Sequence, residues 1–154
     1  MNKKEYMNLG VCEATATMNL NIGGPFGAVV VKDGEVISVA SNTVLRDNDP
    51  TSHAEINAIR QACKKLGTYD LTGCELYATG YPCPMCLSAI IWANIKKVYY
   101  CNDVKKAENI GFRDDFIYDY IKNGNPDVLD LESCTTEEGL GLYNQYTEMN
   151  KIIY

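Results

Sequence analysis

The chain of 154 residues contains one histidine, His53, and a carboxylate, Glu55, stands two positions after it. Further along, "YPCPMC" (81–86) holds a C-x-x-C pair, Cys83 and Cys86. One imidazole nitrogen and two thiolates form a donor set for zinc. Three protein ligands leave the fourth tetrahedral position to water, the layout of a catalytic site and not of a closed structural one. Zinc in that setting lowers the pKa of its water from near 16 to about 7. An acid beside the first ligand is then placed to move protons.

Each half of this constellation also has a purely structural reading. Ser52-His53-Ala54-Glu55 reads as a capping box, with Ser52 as the cap and Glu55 reaching back to its amide. The C-x-x-C serves equally as a redox pair or as half a zinc site. A closed structural zinc, with Cys63, Cys74 or Cys101 as fourth ligand, is the competing metal reading; those three cysteines fit buried helix or strand positions as small core residues. The combination discriminates. H-x-E followed by P-C-x-x-C is the zinc deaminase signature, which makes His53, Cys83 and Cys86 the ligands of one zinc per chain and Glu55 the general acid/base.

These residues must be carried to one place by the elements around them. Ile56, Ile59, Ala62, Cys63 and Leu66 recur at helical spacing, and Lys64, Lys65 and Gly67 close a helix over 52–66. "PMCLSAIIWAN" (84–94) reads as a buried helix with Pro84 at its first position, so that Cys83 caps it and Cys86 lies in its first turn. Thiolates at a helix start have a lowered pKa, which suits metal binding. "FGAVVVKDGEVISVASN" (26–42) is two β-branched runs joined through Asp33-Gly34, a hairpin signal. "CELYATG" (74–80) and "KKVYYCN" (96–102) read as further strands, and residues 3–20 as a first helix. Strands alternating with helices predict an α/β layer sandwich with helices on both faces of one sheet. Two helix starts side by side on that sheet bring the three ligands together. Beyond residue 102 the pattern predicts a short helix within 108–121, a loop over 123–134 and a last helix with a Leu142, Tyr146, Met149 and Ile153 stripe, weakened at its start by Gly139 and Gly141.

Composition bounds the partners. The length fits one domain. The start of the chain has no unbroken apolar run of signal-peptide length, and no segment approaches a membrane span. Seven cysteines without a secretory signal point to reduced thiols and a cytoplasmic protein. The net charge of −6 arises in the last third, where residues 102–154 carry 5 Lys/Arg against 11 Asp/Glu. Such a surface gains nothing from phosphate counterion release, so no nucleic-acid partner is expected.

The ordered set "GGPFGAVVVKDG" (23–34), "NDPTSHAEINAIR" (48–60), "PCPMCLSAIIWA" (82–93) and "GFRDDFIY" (111–118) resembles the cytidine/deoxycytidylate deaminase superfamily along almost the whole chain. Within it, the set is most similar to the small bacterial guanine deaminases. The resemblance implies a single zinc-dependent domain over 1–154, a three-layer α/β/α sandwich with a central mixed five-stranded sheet. It implies a nucleobase substrate, guanine before cytosine, contacted by Phe26, Asn42, Ala54 and Asp114. It also implies a homodimer that exchanges a C-terminal segment, about 135–154, so that Tyr154 closes the partner's pocket. Free cytidine deaminases usually show Cys where this chain has His53. The tRNA adenosine deaminases share H-A-E and P-C-x-x-C but need a basic surface. The family usually has Glu before P-C-x-x-C; this chain has Tyr81, a phenol in place of an acid.

Overall fold

The computed structural model describes residues 1–154 and turns the first hairpin at Asp33 and Gly34, with φ of +50° and +78°. Left-handed geometry at both central positions matches the right-handed twist of the flanking strands. Helix α1 (Lys3–Asn19) precedes that hairpin of β1 (Gly27–Lys32) and β2 (Glu35–Ser41). There follow α2 (Val44–Asp47), α3 (Ala54–Leu66), β3 (Cys74–Gly80), α4 (Pro84–Trp92), β4 (Lys97–Asn102), α5 (Val104–Asn109), α6 (Asp115–Asn123) and α7 (Glu137–Glu148).

The sheet order is β2-β1-β3-β4. β1 runs antiparallel to both β2 and β3, and β3 pairs with β4 in parallel, so the sheet is mixed. It has four strands and not the expected five. After β4, Asp103 caps α5 by accepting from the Lys106 amide. The remaining apolar run, Val128 to Leu131, is interrupted by Asp130 and forms no strand.

Alternation along β1 builds two apolar layers, because successive side chains in a strand face opposite ways. Val29 and Val31 join Tyr77 and Tyr6 of α1 on one face. Ala28 and Val30 join Leu76 and Ala78 of β3, Ala54, Ala58 and Ala62 of α3, and Ile90 of α4 on the other. Helices therefore cover both faces, as the sequence predicts, and α3 and α4 share one of them. The close seat of α1 requires Gly27, since a Cβ there would fall within the Gly10 carbonyl.

The chain divides into two compact units, Met1–Tyr118 and Asp119–Tyr154. The second contains the end of α6 and all of α7. Thr136 caps α7 by accepting from the Gly139 amide at 3.0 Å, which offsets the weak helix propensity of Gly139 and Gly141. No helix of the chain is long and apolar enough to cross a membrane.

Candidate active site

Two helix starts of the same design meet. His53 is the N-cap of α3 and Cys83 the N-cap of α4, both with extended backbone and neither spending its side chain on a capping bond. The imidazole and the thiol are thereby left for other work. Pro84 stands at the first position of α4, where its lacking amide costs nothing.

The expected capping box at Ser52 is not formed. The Ser52 hydroxyl donates to Asp49 Oδ2 at 2.9 Å, and Asp49 also accepts from the Thr51 amide and hydroxyl. This carboxylate knots the turn ahead of α3. Asn57 then ties the helix to the end of β2, its amide donating to Ser41 O and Thr43 Oγ1 at 2.9 Å each. With the cap role gone, Glu55 turns inward and is buried.

His53 Nδ1 lies 3.6 Å from Cys83 Sγ and 3.6 Å from Cys86 Sγ, and the donor atoms of all three residues lie within 4.8 Å of one another. Tetrahedral zinc with bonds of about 2.0–2.1 Å to nitrogen and 2.3 Å to sulfur has N···S edges of about 3.6 Å. The residues fit the ion. None of Cys63, Cys74 or Cys101 belongs to this cluster, so the closed four-ligand alternative has no support. Cys74 is buried and Cys63 partly so, as expected, but Cys101 is exposed on β4 and is not a core residue.

The electrostatics of the cluster place thiolate character on Cys83. The Cys86 thiol, hydrogen-bonded to Cys83, holds the latter's pKa down to about 4, assisted by His53, whose own pKa is raised chiefly by its bond to Cys83. The same bond, together with burial, pushes the Cys86 thiol up. Burial raises Glu55, and the Cys86 thiol donates to its Oε2 at 3.2 Å.

A cavity of about 760 Å³, more apolar than polar, opens onto His53, Glu55 and Cys83. Phe26, Asn42 and Asp114 line it. Phe26 meets Phe112 edge-on, with centroids 5.0 Å apart and planes at 90°. Asn42 is buried, and its Oδ1 accepts from the Val44 amide at 3.1 Å and the Gly24 amide at 3.4 Å. These two donors fix the oxygen end, leaving the amide nitrogen as the donor available to a ligand. Asp114 has its pKa raised, first by burial and then by the nearby Cys83. Ala54 is fully buried in the core layer and, unlike its neighbours His53 and Glu55, is not one of the residues that line the cavity. Tyr154 belongs to the second unit.

Sequence reasoning missed two supports of this cavity. Gly23 lies against Asn42 so closely that any Cβ would collide with the Asn42 carbonyl. The "GGPF" run carried that signal. Leu45 and Val44 come from α2, a four-residue helix with no periodicity to read.

A helix-covered mixed sheet holding an open His-Cys-Cys metal centre beside a buried carboxylate defines a hydrolytic zinc enzyme of the deaminase class. Residues 1–102 match the family model described as the cytidine and deoxycytidylate deaminase zinc-binding region, and the chain belongs to that family. It is 50% identical over 121 residues to guanine deaminase of Bacillus subtilis (strain 168), covering 79% of this chain and 78% of the relative. It is 43% identical over 100 residues to tRNA-specific adenosine deaminase of Aquifex aeolicus (strain VF5), covering 65% and 66%. Among solved structures, guanine deaminase from Bacillus subtilis overlays with a TM-score of 0.94 at 43% identity, covering 100% of this chain and 99% of that one. Guanine deaminase from Nitrosomonas europaea overlays with a TM-score of 0.70 at 30% identity, covering 74% and 66%.

Proposed function

We propose that the chain hydrolyses guanine to xanthine and ammonia, with Glu55 as proton carrier, His53, Cys83 and Cys86 as zinc ligands, and Phe26, Asn42 and Asp114 holding the base. The observation that carries the choice of guanine is the cavity wall that bears Phe112, Asp114 and Ile117. This wall lies beyond the residues 1–102 that the family model matches. It lies within the overlay on Bacillus subtilis guanine deaminase, which spans the whole chain.

The polar ends of the cavity suit this base. The Asn42 amide donates to a carbonyl oxygen, and the Asp114 carboxylate accepts from ring N–H groups in charge-assisted bonds. Phe26, braced edge-on by Phe112, offers a ring face for stacking. Bound zinc supplies a Lewis acid that lowers the pKa of water in the site to about 7. Glu55 takes one proton from the attacking water and delivers it to a ring nitrogen next to C2, while the C2–O bond forms. It then moves the proton of the new hydroxyl to the exocyclic amine, and the C2–N bond breaks. Glu55 ends as it began, and guanine and water have become xanthine and ammonia.

The proposal extends to the chain end: in a homodimer, Tyr154 completes the cavity of a neighbouring subunit. Mixing Asp114→Asn chains with chains lacking 151–154 tests this, since one mixed site then keeps both residues. Recovered activity supports the exchange; no recovery, with subunit exchange confirmed, contradicts it.

Ammonia release measured across guanine, adenine, cytosine, their nucleosides and pterins tests the substrate. The highest kcat/KM is expected on guanine. A higher value on any other member of the panel overturns the guanine assignment.

A further inference from the structure

Tyr81 lines the cavity and serves neither the metal centre nor the proton path. Its backbone N–H donates to the Asn102 carbonyl at 2.7 Å, which fixes it where β3 and β4 end. Its ring meets Tyr100 edge-on, with centroids 5.0 Å apart and planes at 77°. It lines the same cavity as Glu55 and Asp114 yet is 40% exposed, so it stands at the rim. Its hydroxyl makes no hydrogen bond within the chain.

We infer that Tyr81 is a specificity-determining residue, whose hydroxyl hydrogen-bonds the polar periphery of the bound base while its ring, braced by Tyr100, walls the cavity mouth. The inference rests on reading the cavity as a nucleobase site. Pockets of this kind are mostly apolar and choose their ligand through a few placed polar groups. Here those groups are the Asn42 amide, the Asp114 carboxylate and the Tyr81 hydroxyl. A tyrosine held by its backbone and by an aromatic neighbour has only two side-chain torsions to lose on binding. A hydroxyl both donates and accepts, whereas an ionised carboxylate only accepts. A glutamate at position 81 would also put a third acid beside Glu55 and Asp114. Tyrosine thus admits a ligand acceptor at this edge, which a carboxylate there repels.

The test compares Tyr81→Phe and Tyr81→Glu with the unaltered enzyme on the best substrate of the panel, with zinc content verified for each. If guanine is not that substrate, the guanine assignment fails while this comparison proceeds on the base that replaces it. Tyr81→Phe keeps the ring and its packing. Loss of one neutral hydrogen bond then raises KM by about three- to tenfold with kcat held within about twofold. Calorimetric binding of the same base to Glu55→Gln and to the Glu55→Gln/Tyr81→Phe double variant should weaken by the same factor. Tyr81→Glu is expected to change the rank order of the panel. Unchanged KM and affinity in Tyr81→Phe, or a fall in kcat alone, would overturn the assignment, as would an unchanged rank order in Tyr81→Glu.

Discussion

Cys86 donates a hydrogen bond to Glu55 at 3.2 Å, and both residues are buried. A metal-binding sulfur and the proposed proton carrier therefore meet at one polar point beneath the cavity. Cys86 is the third residue of α4 and Glu55 the second of α3, so the relative placement of the two helix starts sets both the metal centre and the distance from it to Glu55.

The metal centre is checked by elemental analysis. About one zinc per chain is expected, and Cys83→Ala or Cys86→Ala should lose it, because two ligands do not retain zinc as three do. Full occupancy in both variants contradicts the assignment.

Asp114→Asn removes the charge from the bonds proposed to the base. Hydrogen bonds to charged groups contribute about 1.5–3 kcal/mol, so kcat/KM on guanine should fall by roughly one to two orders of magnitude. Zinc content should stay unchanged. Normal kcat/KM would remove Asp114 from the substrate site.

Gly27→Ala tests the fold that carries the site. The added methyl would overlap the Gly10 carbonyl, and both are held by backbone, so α1 must move. Overpacking of this kind costs about 1–3 kcal/mol, read as a lower urea midpoint with unchanged slope. An unaltered midpoint would show that α1 yields freely.

Much of this site is legible in the sequence because its ligands sit at helix starts, where residue type and position are tightly linked. Pro84 marks the start of α4, and Gly67, left-handed at φ +67°, marks the end of α3. Ser52 misleads for a physical reason: its hydroxyl has a better acceptor in Asp49, a residue of the preceding turn. The capping-box pattern cannot express that competition. The short helix expected within 108–121 is α6, which begins only at Asp115; Gly111, at φ +102°, lies between it and α5, a further short helix that the sequence pattern does not announce. The fifth strand fails because sheet membership depends on a partner edge and not only on local β propensity.

The most direct test of the central claim is the rate of Glu55→Gln, measured on guanine alongside its zinc content. Glutamine keeps the size of the side chain and cannot carry the proton. A positioned acid/base contributes about 10²–10⁴ in rate, and two transfers pass through this one residue, so a loss at the upper end of that range or beyond is expected with about one zinc still bound per chain. Near-normal turnover in the zinc-loaded variant would contradict the claim and leave Glu55 as a buried polar neighbour of Cys86.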